Sequence, residues 1–411
     1  MVSSINDKSA VTGVEKISTY HLLMFAICFL GNIMGGTAST LMSVYLPVLV
    51  RDRLDALGAG DLGPVSAYIS ALYFVGWAIG GLCMGVIGDR IGRAKSLALS
   101  ICLFGLFTVL ITVVNSWEMV LVFRFLCGFG VGGMLVINNT LLSETWPAKT
   151  RAVFIGILSI GFPVGIFSSG AVNFLVSSWR QGFLVGLVPL VLGLLAFWIL
   201  RESEAWKALK SKPQESTVQD NLREHRAQLI NGSIIFGSML IGLWAVFSWV
   251  PTWVQSLLPE GTDGQHERGL SMMLLGAGGL SGGFVSGWVS NALGTRKAMM
   301  LCFGGCFILS CLLFKFSNSF NIATVVEIAM LSFMFGISQG LLAVYIPQLF
   351  AVSIRGMATG FCFNVGRFIT AAVVFFVGAL VTVLGGYGNS LFTFSFVFLL
   401  GFSILLFAKK V

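Results

Sequence analysis

Charged side chains are scarce in this chain. Lysine, arginine, aspartate and glutamate make up 10% of its 411 residues, hydrophobic residues make up 56%, and the mean hydropathy is +0.92. Soluble globular domains carry about 25% charged residues. The shortage of charge therefore excludes a soluble protein and indicates an integral membrane protein, with the lipid bilayer as a partner.

Histidine and cysteine are few and poorly placed for chemistry. All three histidines lie at or beyond the ends of the apolar segments, so Ser338 in the sequence GISQG has no base to activate it. All eight cysteines lie inside apolar segments, and Cys302 and Cys306 lack the further ligands of a metal site. We therefore expect no enzyme, no metal, no cofactor and no disulfide framework.

Long apolar runs dominate the sequence instead. A bilayer core about 30 Å thick is spanned by a helix of roughly 20 apolar residues. The sequence has twelve such runs, so we predict an all-α membrane protein with twelve transmembrane helices. The predicted spans are 21–49, 65–87, 96–114, 118–143, 152–177, 182–200, 229–257, 269–290, 297–316, 320–346, 357–383 and 390–408.

Lysine and arginine are unevenly divided between the two ends of these spans. Those on the side opposite the N terminus are only Arg51, Arg53, Arg180, Arg268 and Lys315. Because cytoplasmic loops carry the excess of positive charge, both termini are predicted to be cytoplasmic. The net charge of +8 then reflects topology and not nucleic-acid binding. The short external loops indicate a bacterial inner membrane.

Two stretches of sequence recur at a nearly constant separation. In GVIGDRIGRAK and GWVSNALGTRK, residues Gly85, Asp89, Gly92 and Lys95 match Gly287, Asn291, Gly294 and Lys297, a shift of 202. In WPAKTRAVFIG and FAVSIRGMATG, residues Arg151 and Gly156 match Arg355 and Gly360, a shift of 204. The repeats predict two pseudo-symmetric six-helix bundles, residues 1–200 and 229–411, joined by a cytoplasmic loop at 201–228.

The charged turn after the second span is a candidate conformational switch. Glycine permits a tight reversal of the chain, and the basic residues hold it at the cytoplasmic face. Asp89 could bind a neighbouring helix terminus or basic group in one orientation of the bundles and release it in another; a simple positive-inside turn is the alternative. The candidate switch residues are Gly85, Asp89, Arg90, Gly92, Arg93, Gly287, Asn291, Arg151 and Arg355.

The same turn carries a family resemblance. Residues Gly85, Asp89, Arg90, Gly92, Arg93 and Lys95 resemble the signature between helices two and three of the major facilitator superfamily, and Arg124, Gly128, Gly130 and Gly133 resemble its fourth-helix signature. The resemblance extends over the whole chain. It implies two bundles that rock about a midplane site lined mainly by helices 1, 4, 7 and 10. We expect the transporter to be a monomer.

Ionisable residues inside a membrane span are functional candidates because burying them is costly. Arg124 and Asn138 are fourteen residues apart in span four, so they share a helix face, which we interpret as cavity lining. A structural arginine held by backbone carbonyls is the alternative. Glu327, at the matching depth of span ten, is the only carboxylate well within a span. It is the candidate proton carrier and a candidate partner for Arg124 when the outer side closes; a solvated residue near the interface is the alternative.

Arg367 lies near the middle of span eleven, with Asn364 one turn before it. A guanidinium is always charged and its rigid fork suits a carboxylate, yet no acid at that depth is an obvious partner. An anionic substrate is therefore expected. The stretch RGMATGFCFNVGR also resembles the eleventh helix of organic-acid symporters of the superfamily, which include sialate, monocarboxylate and aromatic-acid carriers, and SETWPAKTRA fits the same group.

This resemblance implies uptake of a small organic anion with protons, with Arg367 as the carboxylate clamp. Asn32 stands where many symporters carry an acid, which leaves Glu327 as the candidate for proton coupling. Other polar and aromatic residues could complete the pocket, namely Asn32, Tyr73, Asn139, Asn173, Trp249, Gln339 and Tyr345. The alternatives are a proton-driven exporter of amphipathic compounds with the aromatic seventh span as its wall, a carrier of sugars or other neutral metabolites, and a transport-dead sensor.

Overall fold

The computed structural model describes residues 17–54, 62–176, 178–204, 206–207, 225–350 and 354–407. Twelve helices in these ranges are long and apolar enough to cross a membrane, and the ranges contain no strand, so the predicted all-α fold with twelve spans is confirmed. The helices are α1 Thr19–Leu54, α2 Leu62–Ile91, α3 Arg93–Val113, α4 Trp117–Thr145, α5 Arg151–Leu175, α6 Trp179–Ile199, α7 Arg226–Ser256, α8 Gln265–Leu293, α9 Thr295–Phe316, α10 Ile322–Gln348, α11 Arg355–Ala379 and α12 Tyr387–Phe407.

Polar caps and glycines set several of the helix ends. The side chains of Ser116 and Asn321 accept hydrogen bonds from backbone N–H groups in the first turns of α4 and α10. Helix α11 ends at Ala379, and the prediction that it extends to residue 383 was wrong. The chain turns there towards Gly385 and Gly386, whose φ angles of 77° and 119° are readily adopted only by glycine.

Helices α1–α6 form the first half of the molecule and α7–α12 form the second half. The predicted loop between the halves lies mostly outside the described residues, which include 201–204, 206–207 and 225–228 of it. In the first half, a side chain on Gly80 of α2 would collide with the backbone of Phe129 in α4. In the second half, a side chain on Gly282 of α8 would collide with the backbone of Phe333 in α10. Gly80 and Gly282 are 202 residues apart, so the sequence repeat is also a repeat of helix packing.

The two halves meet along two seams, α2 against α11 and α5 against α8. We name the side where α1 begins the near side and the opposite side the far side. The α5–α8 seam is tightly packed at the far side, where a Cβ on Gly170 would lie 2.5 Å from the carbonyl oxygen of Gly269. On the other seam, also at the far side, a Cβ on Gly378 would lie 3.0 Å from the Cβ of Ala67. The far-side ends of the halves are therefore closed against each other.

Candidate functional site

Arg367 is the central residue of α11. Its side chain is partly buried, and Nη1 donates a hydrogen bond of 3.4 Å to Oδ1 of Asn364, one turn earlier. The amide of Asn364 donates in turn to the carbonyl of Gly360 at 3.0 Å. Within the described part of the chain, no carboxylate lies within 4 Å of the Arg367 guanidinium. The geometry therefore leaves a charged fork in mid-span with one long neutral hydrogen bond and further N–H donors to satisfy.

Asn32 in α1 and Asn138 in α4 form a buried pair inside the first half. The Nδ2 atom of Asn138 donates to Oδ1 of Asn32 (3.2 Å) and to the carbonyl of Cys28 (2.9 Å). The Nδ2 atom of Asn32 donates to the carbonyl of Leu158 in α5 (2.7 Å). The pair thus joins three helices of one half. The Oδ1 atom of Asn138 is buried and has no hydrogen-bond partner in the described chain.

The candidates from the second half fall in different surroundings. Gln339 is a partly buried residue of α10, and its buried Nε2 atom has no hydrogen-bond partner among the described residues. Tyr345, two turns further along α10, is 5% exposed. Trp249 is fully buried, donates to the carbonyl of Val374 in α11 (3.1 Å) and stacks on Tyr387 of α12, so its contacts lie within its own half.

Arg124 lies in the second turn of α4 and is 3% exposed. Its Nη1 and Nη2 atoms donate to the carbonyls of Ala38 and Ser39 in α1 at 3.0 and 3.4 Å. The guanidinium also lies over the ring of Tyr73, 4.0 Å from the centroid, as in a cation–π contact. Arg124 and Asn138 both face α1, as their fourteen-residue spacing predicts. In this structure the arginine is held by backbone carbonyls.

Glu327 lies in the second turn of α10, at the far side. It is partly exposed, and its Oε2 atom accepts a hydrogen bond of 3.2 Å from the hydroxyl of Ser317. Although the far side is closed, Glu327 and Arg124 do not pair, which corrects the sequence-based expectation. The physical reason is position: Glu327 is close to the start of its helix and faces the loop before α10, whereas Arg124 faces α1.

The charged turn of the first half is built around Arg93. Its Nη1 atom contacts Oδ1 of Asp89 at 2.5 Å and its Nε atom contacts Oε1 of Glu144 at 3.2 Å. Glu144 belongs to the near-side end of α4, so the two ion pairs tie α2, α3 and α4 together. Asp89 therefore binds a basic group of its own half, one of the two kinds of partner that the sequence predicts for it. Arg90 is exposed at the same turn. Gly85 lies further back within α2 and is partly buried.

A segment just beyond α6 covers this turn. The carboxylate of Glu202 accepts hydrogen bonds from the backbone N–H groups of Ala94 (3.1 Å) and Lys95 (3.2 Å) at the start of α3. The hydroxyl of Ser203 bonds Glu144 at 2.5 Å, and the indole of Trp206 donates to the carbonyl of Asp89 at 2.8 Å. Sequence reasoning missed these contacts, although an acid at a helix start is a recognisable signal.

The corresponding turn of the second half, around Asn291, is exposed and makes fewer contacts. Asn291 is exposed, and a Cβ on Gly287 or Gly294 would have no atom within 4 Å in the described chain. Arg151 donates from Nε to the carbonyl of Trp146 at 3.1 Å. Its repeat partner Arg355 is the first residue of α11, and its side chain lies outside what the structure describes.

A polar cluster at the far-side seam was also missed. Arg268, in the first turn of α8, is 2% exposed, and its Nε atom donates to the carbonyl of Val44 in α1 at 3.1 Å. The Nε2 atom of Gln265 donates to the carbonyls of Asn173 (2.7 Å) and Val176 (3.1 Å) at the end of α5. By sequence, Arg268 was placed with the external loop residues. All of these hydrogen bonds join the two halves.

Aromatic rings from α2, α5 and α7 pack between the two halves at mid-span. Trp77 of α2 contacts Trp244 of α7 with ring centroids 5.1 Å apart, and Phe74 contacts the same indole at 5.0 Å. Phe162 of α5 lies 5.8 Å from Trp77 and 6.3 Å from Trp244. This aromatic cluster, residues Phe74, Trp77, Phe162 and Trp244, therefore joins the halves between the far-side closure and the near side. The Nε1 atom of Trp77 is buried without a hydrogen-bond partner in the described chain.

Comparison with known proteins identifies the family to which this architecture belongs. The sequence profile of the Major Facilitator Superfamily matches residues 25–373. The D-xylose-proton symporter superposes with a TM-score of 0.78 at 16% identity, covering 95% of this chain and 97% of that one. The xylose transporter of Escherichia coli in a partially occluded inward open conformation superposes with a TM-score of 0.76 at 14% identity, covering 95% of this chain and all of that one. At such identities these structures support the fold alone.

Sequence relatives are transporters of organic acids by name. The cis,cis-muconate transport protein of Acinetobacter baylyi is 27% identical over 84% of each chain. The 4-hydroxybenzoate transporter of Pseudomonas aeruginosa is 26% identical over 88% of this chain and 86% of that protein. The sialic acid transporter of Escherichia coli is 27% identical over 92% of both. The chain belongs to the Major Facilitator Superfamily. It is an integral membrane transporter of a small molecule, and not an enzyme.

Proposed function

We propose that this transporter takes up a small organic anion together with protons by alternating access, and that it acts as a monomer in a bacterial inner membrane. The names of its relatives support the substrate class, since they carry muconate, 4-hydroxybenzoate and sialic acid. The excess of lysine and arginine on the near side supports a cytoplasmic near side. With that orientation the far-side closure corresponds to an inward-facing state. The two moving units would be residues 1–200 and 229–411.

The observation that carries the proposal is the guanidinium of Arg367. It lies at the centre of α11 and meets no carboxylate among the described residues. A charge in the middle of a membrane protein is retained where it has a function, and a carboxylate matches its fork. An organic anion supplied by the substrate would complete the hydrogen bonds that Asn364 leaves unmade.

Two further buried atoms with unmade hydrogen bonds support a polar binding site. They are Oδ1 of Asn138 in α4, an acceptor, and Nε2 of Gln339 in α10, a donor, and neither has a partner in the described chain. Buried polar groups in proteins are nearly always hydrogen-bonded, so an unmade bond points to a ligand or water. Asn364, Asn32, Tyr345, Trp249 and Arg124 remain proposed members of the site.

Glu327 remains the proposed proton carrier. Its side chain is partly buried, its Oε2 atom accepts a hydrogen bond from the hydroxyl of Ser317, and it forms no ion pair within the described chain. Glu327→Gln should abolish accumulation driven by a pH gradient and preserve exchange of anion for anion. Accumulation at the wild-type level in Glu327→Gln would remove this residue from the coupling.

The decisive experiment is uptake into proteoliposomes of cis,cis-muconate, 4-hydroxybenzoate and sialic acid. For the anion that the wild type carries, Arg367→Gln should lower kcat/KM by at least about a hundredfold, because a charged hydrogen-bonded pair is lost. Arg367→Lys keeps the charge without the fork and should recover only part of the activity. Arg180→Gln is the matched control, since it removes a partly exposed far-side arginine that is paired with Asp52. Equal activity of Arg367→Gln and the control would refute the clamp.

Export of amphipathic compounds is the second candidate function, because the aromatic cluster at mid-span offers an apolar wall to a large hydrophobic ligand. It predicts counterflow of lipophilic cations, which an organic-anion carrier with an unpaired arginine would exclude.

A further inference from the structure

The far-side seam holds a buried guanidinium whose partners are all neutral. Besides Val44, Arg268 donates from Nη1 to the carbonyl of Asp263 at 2.6 Å and to the side-chain oxygen of Gln255. The carboxylates of Asp263 and Glu267 attract the guanidinium electrostatically. Neither carboxylate has an oxygen within 4 Å of a guanidinium nitrogen, the distance that defines an ion pair. The positive charge is thus held by oxygen dipoles and is not neutralised by direct contact with an acid.

One of these hydrogen bonds joins the two halves. Val44 belongs to the first half, whereas Gln255, Asp263 and Arg268 belong to the second. When the far-side ends of α1 and α8 separate, the contact with Val44 breaks and the other contacts of Arg268 can be kept. Opening would then expose a guanidinium that has lost one hydrogen-bond acceptor at the mouth of the cavity. Gln255 and Asp263 of its own half would still hold it in place.

A second polar side chain at the seam is incompletely satisfied. Asn173 of α5 is fully buried, its Oδ1 and Nδ2 atoms make no hydrogen bond of normal geometry in the described chain, and the side chain of Tyr45 in α1 is a polar group that interacts with it. A Cβ on Gly269, next to Arg268, would lie 3.1 Å from Oδ1 of Asn173. The seam therefore contains unmade hydrogen bonds at Asn173 in the first half, and such bonds are the usual mark of a position that binds a ligand or water.

We propose that Arg268 is the far-side gate residue, which bonds the carbonyl of Val44 when the gate is closed and the carboxylate of the incoming organic anion when it is open. This inference rests on the proposed function for its ligand. The exchange couples opening to substrate: the carboxylate replaces the acceptor that opening removes. Arg268 is then a recognition residue distinct from Arg367, used before the anion reaches mid-span.

The gate itself is tested by a distance measurement that needs no substrate. Leu175 and Glu260 are exposed residues at the far side of the first and second halves. With Cys83 replaced by serine, spin labels on Leu175→Cys and Glu260→Cys report the opening of the far side in lipid nanodiscs. In Arg268→Gln the ratio of long to short distances should rise at least about tenfold, because a charged hydrogen bond across the seam is lost. An unchanged distance distribution would overturn the proposal.

The exchange is tested by far-side uptake of 4-hydroxybenzoate. Arg268→Gln should raise the KM for this anion at least about tenfold, Arg268→Lys should give an intermediate KM, and near-side KM should be unaffected. Gln265→Ala is the matched control: it removes neutral hydrogen bonds across the same seam, so it should open the gate but change the far-side KM by less than about twofold. Equal KM changes in Gln265→Ala and Arg268→Gln would refute carboxylate recognition.

The two proposals fail in different ways. Absence of uptake of any organic anion by the wild type would refute the proposed function and the carboxylate exchange together. The distances would still decide whether Arg268 closes the gate. Conversely, uptake that depends on Arg367 but not on Arg268 would refute the exchange and leave the proposed function standing. If Arg268→Gln does not fold, Arg268→Lys retains the charge and provides both readouts.

Discussion

The two ends of the same helices have opposite surroundings in this molecule. At the far side of α5, Gly170 touches the backbone of Gly269 in the other half. At the near side of α5, a Cβ on Gly156 would meet no atom within 4 Å in the described chain, and the same holds for Gly287 in α8 and Gly360 in α11. Small residues thus allow close helix contact at the far side and leave room for it at the near side. The comparison shows how one set of helices can close either end.

A second difference divides the near side itself. The turn of the first half is filled by Asp89, Arg93 and Glu144 and is covered by Glu202. The turn of the second half, around Asn291, is exposed and makes no such contacts in the described chain. The first half is therefore braced at the near side by ion pairs. The second half has hydrogen bonds there, from Arg296 of α9 to two backbone carbonyls at the end of α12 (2.9 and 3.1 Å), and no ion pair among the described residues. A brace confined to one half stiffens that unit without holding the two units together.

The contrast between the two ends of α5 gives the largest expected effect. Gly170→Leu should lower the rate of uptake about 5- to 150-fold, because overpacking costs about 1–3 kcal/mol and falls only on the closed far-side state. The neighbour is backbone, which cannot move aside as a flexible side chain would. The matched variant Gly156→Leu should keep uptake within about twofold of wild type and fold normally. Similar uptake rates in the two variants would remove the distinction between the ends.

Much of the fold follows from the sequence because lipid imposes a simple rule. Backbone groups in a bilayer must be satisfied within helices, so length and hydropathy predicted all twelve spans. The repeat was also detectable by letter, and the packing pair Gly80 and Gly282 shows its physical basis. The end of α11 was not predicted, because a turn made by Gly385 and Gly386 leaves little trace in an apolar run.

The site was less predictable, since a helix sequence gives depth but not the neighbour that a side chain meets. Arg268 was assigned to an external loop because it lies at the end of an apolar run, yet α1 and the loop before α8 bury it. Glu327 was matched to Arg124 by depth and by a separation of 203 residues, which lies between the two repeat shifts, and its hydrogen-bond partner is Ser317. Trp249 was a candidate for the cavity, and nothing in the sequence indicated that its indole donates a hydrogen bond to the carbonyl of Val374 in α11.

The brace of the first half predicts a smaller effect, seen in stability. Glu144→Ala leaves Arg93, which is 8% exposed, with Asp89 as its remaining acid partner, and it also removes the acceptor of Ser203. We expect a loss of about 2 kcal/mol, as for hydrogen bonds to charged groups, measured as a lower Tm in detergent. Asn291→Ala, at the exposed turn of the second half, should change stability by less than about 0.5 kcal/mol. Equal Tm values for the two variants would show that the brace contributes nothing.

The smallest expected difference separates two glycines at equivalent positions of the repeat. Gly92 and Gly294 have φ angles of 110° and 78° with ψ angles of 156° and 145°, a region that only glycine adopts readily, so alanine at either position should be strained by about 1–3 kcal/mol. A Cβ on Gly92 would also collide with the carboxylate of Glu202, whereas a Cβ on Gly294 would meet nothing within 4 Å in the described chain. Gly92→Ala should therefore lower the free energy of unfolding by about 1 kcal/mol more than Gly294→Ala, the value of displaced hydrogen bonds to the start of α3. Both substitutions can be repeated in the Glu202→Ala background, where the collision and the hydrogen bonds are both absent, and the difference between the two glycines should then disappear. If the difference persists, its cause is the backbone strain and not the contact with Glu202.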